Sequence, residues 1–204
     1  NNIDDIDTDI GYPEIFREEV SNIASPAESL NNMTVGAISD NVELRLQGPN
    51  CLTPLSECPS SYTRKFHYDW GSDIFNLTNI NRHLRKPDVL FPGGEYEILE
   101  NPLLGLSPNG CYAVELLSSD LRNGRTSRNL GTSISVGFAA NFAAKLLSAY
   151  PELDMQTLKA LIINSGSGPS VGNLFEGFST NFKNRISGFG IANEDQALNS
   201  DENR

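Results

Sequence analysis

Three consecutive residues, Gly131, Thr132 and Ser133, have the types and the setting that nucleophilic chemistry at a serine hydroxyl requires. A polar stretch at 118–129 precedes them, and an apolar segment follows as far as Pro151, where proline cannot continue a helix. Ser133 is therefore predicted at the N-terminus of a helix, where backbone N–H groups lack intrahelical partners and the helix dipole favours negative charge. A serine in that place can attack a carbonyl carbon while its own N–H binds the oxyanion. On these residues alone, an ordinary Ser/Thr helix cap is the commoner interpretation.

The helix that begins at this serine is predicted over 133–149. Small or apolar residues on nearly every side predict that it is buried, and its many alanines predict a crowded site around Gly137. A second helix is predicted over 154–164 with Asp154 as its N-cap, and a short last helix is predicted over 192–198.

The remaining segments are short or irregular. Extended segments are predicted from apolar runs and from alternating polarity at 33–38, 42–46, 88–90 and 112–117. Residues 47–81 contain Pro, Ser, Cys and aromatic residues with little periodicity, which predicts an irregular insertion over the sheet edge. The 118–129 stretch is predicted to be a loop, and a turn followed by a surface loop is predicted from residue 165 to Phe182.

Composition and charge limit the class of protein and its partners. The chain has 204 residues, of which 38% are hydrophobic, enough for one globular domain or most of one. Its net charge of −11 argues against non-specific nucleic-acid binding and against docking on an anionic membrane surface. No stretch approaches the roughly 18 consecutive apolar residues of a membrane span.

The three cysteines, Cys51, Cys58 and Cys111, form no C-x-x-C pair, so zinc is not indicated. Cys51 and Cys58 are close enough in sequence to close a short loop by a disulfide. Reduced thiols in a cytosolic protein are an equal alternative. The cysteines therefore do not determine the compartment, and the cytoplasm is the favoured interpretation.

The acidic stretch Asp5-x-Asp7-x-Asp9 offers carboxylate oxygens of the kind that calcium prefers. It is not an EF-hand loop, because Ile10 and Phe16 stand where that loop needs Gly and Glu. A solvated acidic loop is the favoured interpretation. We therefore predict no cofactor and no bound metal, with calcium as the alternative.

Four stretches resemble motifs of one protein family, in the family's order. They are 25–38 (SPAESLNNMTVGAI), 86–94 (KPDVLFPGG), 131–133 (GTS) and 188–193 (GFGIAN). On these motifs the chain resembles the subtilisin-like serine proteases, the subtilases, over most of its length. Two positions depart from the family pattern. Leu130 replaces the usual Asn before Gly-Thr-Ser, and Gly137 replaces the usual Pro four residues after the serine.

The resemblance implies an α/β fold, with residues 1–204 as the C-terminal portion of a catalytic domain and part of a mostly parallel sheet flanked by helices. It also implies a serine endopeptidase, in which Ser133 attacks a peptide carbonyl and forms an acyl-enzyme that water hydrolyses. Gly131 and Thr132 would be the supporting loop. The oxyanion hole would combine the N–H of Ser133 with the side chain of Asn2, which stands where the family has a glycine-asparagine pair.

The base and its orienting acid are expected outside this chain. Neither His67 nor His83 stands in the family's "HGT" setting, and no aspartate stands in its "D-[ST]-G" setting. The resemblance thus implies that both groups belong to an upstream half of the same protein, that the substrate is a polypeptide and that this chain alone is inactive. The alternative hypothesis is a catalytically inactive subtilase-like binding or scaffold module, which Leu130 and Gly137 favour.

Overall fold

A parallel pair of strands lies at the centre of the fold, with β1 (Val35–Ile38) beside β2 (Val89–Pro92). The computed structural model describes residues 11–42, 50–54, 57–66, 85–99, 105–120, 122, 124–168 and 172–199. On the side of β2 away from β1, Leu90 bridges to Ile191 in the parallel direction. Both strands lie in or beside predicted segments, and β2 is buried along most of its length, as a central parallel strand should be.

A buried ion pair joins the starts of these two strands. The ammonium group of Lys86 lies 2.5 Å from the Asp88 carboxylate and donates to the carbonyl of Asn32 at 2.7 Å. The same carboxylate accepts a hydrogen bond from the N–H of Thr34 at 2.7 Å. The Lys-Pro-Asp motif therefore fixes the entry to β2 against the entry to β1.

Helix α1 (Thr132–Ala149) packs one face on β1 and β2, and its bounds confirm the predicted helix to within one residue. The core on this side of the sheet consists of Val89, Phe91, Ala139, Phe142, Leu146, Leu158, Ile162 and Ala197. The rings of Phe91 and Phe142 meet edge to face with their centroids 5.8 Å apart. These contacts place the start of α1 beside the carboxyl end of β2.

The predicted burial of α1 on nearly every side is wrong. Val136 is 52% exposed, and Gly137, Ala140 and Ala144 are exposed as well. No atom lies within 4 Å of the position that a Cβ on Gly137 would take, so the predicted crowding there is also wrong. Small side chains indicate close packing only where a second element lies against them, and no element in the described part of the chain does so here.

Three further helices follow: α2 (Met155–Asn164), α3 (Thr180–Ser187) and α4 (Glu194–Leu198). Helices α2 and α4 were predicted, and both pack against α1. Asp154 is the N-cap of α2, as predicted, and its carboxylate accepts hydrogen bonds from the N–H groups of Gln156 and Thr157 at 2.8 Å. The hydrogen bonds from Thr157, and then that from Gln156, lower the pKa of Asp154.

Helix α3 was not predicted, and the stretch before it is not the surface loop that the sequence indicated. Phe175 and Phe178 are buried there, in a cluster with Ile15, Phe16 and Ile186. This second small core joins the first described turn of the chain to α3. The prediction failed because the partners of the two rings lie far away in sequence, where local periodicity cannot report them.

Two antiparallel pairs accompany the parallel one. They are β3 (Glu97–Ile98) with β4 (Leu106–Ser107), and β5 (Val114–Leu117) with β6 (Thr126–Asn129). Strand β5 was predicted, whereas β6 falls in the stretch that was predicted to be a loop. Its side chains are polar and mostly exposed, so it has no apolar pattern. Its ladder with β5 is what makes it a strand.

Part of the segment predicted as an insertion, 57–66, lies along the free edge of β1. The N–H of Ser60 donates to the carbonyl of Ala37 at 2.9 Å, and the hydroxyl of Thr63 bonds both the N–H and the carbonyl of Ala37. Much of 47–81 lies outside the described residues, as do residues 43–46 of a predicted extended segment. The extent of the insertion therefore stays a prediction.

The described residues combine helices with a small parallel sheet, which confirms the α/β class. The parallel sheet is smaller than expected. Among the described strands only β1 and β2 are parallel, and the other two pairs are antiparallel. Within the described ranges, no helix is both long enough and apolar enough to pass through a lipid bilayer.

Candidate functional site

Ser133 lies in the first turn of α1 and is exposed. That turn contains no acidic residue, and the N–H groups of a first helical turn have no intrahelical acceptor. Within the described residues, nothing hydrogen-bonds the hydroxyl of Ser133. The hydroxyl and the positive end of the helix dipole are thus both open to an incoming carbonyl group.

Gly131, the residue at which α1 is capped, fixes the approach to Ser133. Its backbone torsions are φ 146° and ψ 156°, a region that side-chain-bearing residues rarely occupy. Its N–H donates to the carbonyl of Gly93 at 3.1 Å, and its own carbonyl accepts from the N–H of Ile134 at 3.0 Å. The chain therefore turns sharply at Gly131, and the helix begins with the Ser133 side chain exposed to solvent.

Ser135, two residues after Ser133, holds the same turn against β2. It is completely buried, and its hydroxyl lies 3.2 Å from the carbonyl of Phe91 and 3.1 Å from that of Pro92. The first turn of α1 is thereby tied to the end of β2. Sequence analysis missed this role, because a serine inside an apolar helix gives no sign of which carbonyl it meets.

A glycine is required at position 93, directly after β2, because three side chains lie too close to its Cα to leave room for a Cβ. A Cβ at this position would lie 2.6 Å from the Ser135 hydroxyl, 2.7 Å from the Ala37 methyl and 2.9 Å from the Tyr62 hydroxyl. Such contacts are too short for any side chain. The glycine therefore lets β1, β2 and the start of α1 meet at one point.

Tyr62 forms the next part of the site. Its buried hydroxyl lies 2.7 Å from the carbonyl of Gly93 and 2.9 Å from that of Gly94. Burial, and then the nearby Glu95 carboxylate, raise the pKa of Tyr62, so its hydroxyl keeps the proton that it donates. Its ring meets the ring of Tyr96 edge to face, with centroids 5.9 Å apart.

These two rings line a pocket of about 430 Å³ beside Ser133, which we name the tyrosine pocket. Its lining residues are Tyr62, Tyr96, Pro108, Asn129, Leu130, Gly131, Thr132 and Ser133. A second pocket of about 280 Å³, named the Arg64 pocket, is lined by Asn22, Ile23, Ala24, Ala27, Thr34, Val35, Gly36, Arg64, Pro87 and Thr132. Thr132 lines both, so Ser133 stands next to the ridge between two concave surfaces.

A buried carboxylate lies behind the tyrosine pocket. Glu95 is completely buried, and its two oxygens accept hydrogen bonds from Thr53, Ser61 and Tyr96. Burial raises the pKa of this carboxyl group, and the hydrogen bonds from its three neighbours oppose that rise. Sequence analysis missed Glu95, because nothing local distinguishes it from a solvated acid in a turn.

The structure brings together part of the predicted site. Gly131, Thr132 and Ser133 lie at the start of α1, where a helix start was predicted, and their roles as supporting loop, nucleophile and oxyanion donor stay predictions. The proposed second oxyanion donor, Asn2, lies outside the described residues, and so do His67 and His83. The predicted alternative of calcium at Asp5, Asp7 and Asp9 lies there too. In the described part of the chain, no three His, Cys, Asp or Glu side chains converge as a metal site requires.

The sequence of this chain is similar to a known protein family and to a known protein. The chain matches the sequence model of the Subtilase family over residues 13–190. It is also similar to y4bN, an uncharacterized protein of Sinorhizobium fredii, with 25% identity over 164 residues. That alignment covers 78% of this chain and 35% of the relative, so the chain spans about a third of the relative's length.

Proposed function

The chain belongs to the subtilase family, and on that premise we propose that it hydrolyses peptide bonds as part of a serine endopeptidase, with Ser133 as the nucleophile. The observation that carries the proposal is the exposed Ser133 in the first turn of α1, held by the hydrogen bond from Gly131 to Gly93, the residue after β2. At that place the attacking oxygen and an oxyanion donor, the N–H of Ser133, belong to the same residue.

The proposed reaction has two steps. The Ser133 hydroxyl oxygen attacks the carbonyl carbon, a general base takes the hydroxyl proton, and the carbonyl oxygen becomes an oxyanion bound by the Ser133 N–H. The carbon–nitrogen bond then breaks, the leaving amine receives the proton, and an acyl ester remains on Ser133. Water, activated by the same base, hydrolyses the ester and restores the serine. The side chain of Asn2 is proposed as the second oxyanion donor.

We place the base and its orienting acid in an upstream segment of the parent protein. A serine hydroxyl is a weak nucleophile without an adjacent base, and no described residue hydrogen-bonds the Ser133 hydroxyl. The open face of α1, with Val136, Ala140 and Ala144, starts one turn from Ser133 and offers that segment an apolar surface. The length of the relative from Sinorhizobium fredii is consistent with such a segment.

The two pockets suggest how a polypeptide substrate would lie. An extended chain whose scissile bond sits at Ser133 crosses the ridge at Thr132, with side chains on either side of the bond entering the tyrosine pocket and the Arg64 pocket. Binding on both sides of the bond holds the carbonyl carbon at the nucleophile, which lowers the entropic part of the barrier.

The test uses the full-length protein that contains this chain. Ser133→Ala should abolish both peptide hydrolysis and covalent labelling by a fluorophosphonate, with a loss of about six orders of magnitude in turnover. The matched control is Ser148→Ala, which removes a serine of the same helix whose hydroxyl bonds the carbonyl of Ala144. The control should label normally. Labelling that survives in Ser133→Ala rejects Ser133 as the nucleophile.

A catalytically inactive peptide-binding module is the second candidate. Leu130 stands where the family usually has Asn, and it packs on the cluster that contains Ala37, Tyr62 and Tyr96. An apolar residue there gives the site one polar side chain fewer than the family pattern. Peptide binding by the full-length protein that is unaffected by Ser133→Ala, with no labelling of the wild type, would favour this candidate.

A further inference from the structure

Glu95 occupies an unusual position directly after the Gly93-Gly94 turn. One carboxylate oxygen, Oε1, accepts hydrogen bonds from the hydroxyl of Ser61 at 2.8 Å and from the N–H of Tyr96 at 2.9 Å. The other, Oε2, accepts from the N–H of Ser61 at 2.8 Å and from the hydroxyl of Thr53. A buried carboxylate needs such partners, because burying an ionised group without them is very costly.

These hydrogen bonds fix the two residues that form the wall of the tyrosine pocket. Ser61 is held at both its N–H and its hydroxyl, and Tyr62 is the next residue. Tyr96 is held at its N–H, so a single carboxylate sets the backbone under both rings. The rings of these two residues meet edge to face.

A chain of contacts leads from Tyr62 to the nucleophile. The Tyr62 hydroxyl donates to the carbonyl of Gly93, and the same carbonyl accepts the N–H of Gly131. The hydroxyl of Ser60 adds a bond to the carbonyl of Gly94 at 2.8 Å. Gly131 in turn sets the direction in which α1 begins, two residues before Ser133.

We propose that Glu95 is a positioning residue for the reaction, which holds the Gly131–Ser133 turn in place through Ser61, Tyr62 and the carbonyl of Gly93. The proposal rests on the proposed function of Ser133 for its kinetic consequence, and on the hydrogen bonds alone for its structural one. Glu95 lines neither pocket, so it acts on substrate only through other residues.

The test substitution is Glu95→Gln in the full-length protein. A carboxamide has one oxygen and one NH₂ group, so in either orientation the NH₂ faces a backbone N–H, that of Ser61 or that of Tyr96. The isosteric change thus breaks one anchor without creating a cavity. The rate of Ser133 modification by a fluorophosphonate should fall on the order of tenfold to a hundredfold, as expected when a reacting group is slightly misplaced.

Glu97→Gln is the matched control, because it makes the same acid-to-amide change two residues away in β3. The Glu97 carboxylate contacts the N–H and the thiol of Cys111, neither of which lines the two pockets. This variant should react at the wild-type rate. If Glu95→Gln folds and also reacts at the wild-type rate, the proposal is wrong.

A double-mutant cycle tests the route of the effect. Tyr62→Phe removes the hydroxyl that joins Gly93 and should slow the modification of Ser133 as well. Because both changes interrupt one path, the double variant should be little slower than the slower single variant, whereas additive effects would overturn the proposed path. If Glu95→Gln does not fold, Ser61→Ala takes its place in the cycle, and a wild-type rate in that variant overturns the proposal.

A second readout separates this proposal from the proposed function. Hydrogen exchange of the Gly131 N–H reports its bond to Gly93 directly and needs no catalysis. Exchange there should be faster in Glu95→Gln than in Glu97→Gln, and equal exchange overturns the positioning role. If the wild type is not labelled at Ser133, the proposed function fails, and the exchange measurement still decides whether Glu95 positions the turn.

Discussion

The carbonyl oxygen of Gly93 and the backbone N–H of Gly131 are joined by a hydrogen bond of 3.1 Å. It connects the residue after β2 to the residue before α1, so a bond between main-chain atoms joins the sheet to the start of the helix, beside the bonds that the Ser135 hydroxyl makes to β2. Ser133 is the second helical residue after this junction. The placement of the proposed nucleophile therefore depends on the backbone conformation at Gly131 as well as on the side chains that hold this junction.

We first predict that Gly131→Ala lowers both stability and Ser133 reactivity. Its φ of 146° is strained for alanine, at a cost of about 1–3 kcal/mol, although the nearest atom to the new Cβ would be 3.9 Å away. Gly124→Ala is the control, because Gly124 has φ 126° but lies in the turn between β5 and β6. Urea denaturation should show comparable losses in both variants, while fluorophosphonate labelling falls in Gly131→Ala alone. Equal labelling in the two variants would contradict the prediction.

Secondly, Gly137→Ala should stabilise the 204-residue chain. Glycine inside a helix costs about 1 kcal/mol relative to alanine, and nothing lies within 4 Å of the added methyl group. A melting temperature higher by about 2–4 °C is expected for a chain of this size. Gly93→Ala is the contrasting variant and should lower it, because its Cβ would contact the Ser135 hydroxyl at 2.6 Å. An unchanged or lower melting temperature for Gly137→Ala would mean that the exposed face is covered.

Thirdly, the thiols should be protected in the native chain. Cys51, Cys58 and Cys111 are thiols, so the disulfide considered from the sequence is not formed. Burial raises the pKa of Cys51 to about 12 and that of Cys58 to about 11. At pH 8, iodoacetamide should modify the partly exposed Cys111 first, as mass spectrometry of the peptides can establish. Modification of Cys51 or Cys58 at the rate seen in denaturant would contradict this order.

The same pKa shifts fix the sign of a pH effect on stability. A thiol whose pKa is raised on folding keeps its proton in the folded state while the unfolded chain loses it above about 8.5. The stabilisation from Cys51 and Cys58 is therefore complete below that pH and is lost as the pH rises through 11 to 12. The free energy of unfolding should fall in this window, and replacing both cysteines by alanine should flatten the fall.

Finally, the 204-residue chain by itself should not hydrolyse peptides. In the described part of the chain no group hydrogen-bonds the hydroxyl of Ser133, so it stays protonated and weakly nucleophilic at neutral pH. A peptidase assay of the chain, with its Ser133→Ala variant as the blank, is the measurement. Hydrolysis that depends on Ser133 would reveal a base within the chain, and His67 and His83 would be the first residues to replace.

Local signals predicted the elements that end at clear boundaries. Pro151 ends α1 and Asp154 caps α2, and both act over a few residues, so the sequence places them well. Strand β6 and helix α3 were missed, because β6 is defined by its pairing with β5 and α3 by a cluster that includes Phe16. These contacts join residues that are distant in sequence, and no window of the chain contains both partners.

The candidate site was likewise predicted only where its residues leave a local pattern. The Gly131-Thr132-Ser133 turn was predicted, because glycine and a helix start leave a local pattern. Glu95 and Ser135 were not, because a buried acid and a buried hydroxyl are recognisable only once their partners are known. The predicted burial of α1 on nearly every side was wrong for a related reason. Apolar residues indicate that a helix face can be buried, but they do not indicate which element packs against that face.

The position of Leu90, between β1 and Ile191, also affects how the chain is made. Ile191 leaves the ribosome roughly a hundred residues after Leu90, which is on the order of ten seconds of synthesis. During that interval β2 has β1 on one edge, and within the described ranges no residue made earlier than Ile191 pairs with the other edge. An unpaired edge of an apolar strand recruits other strands, so the nascent chain should depend on chaperones until the segment that contains Ile191 has been synthesised.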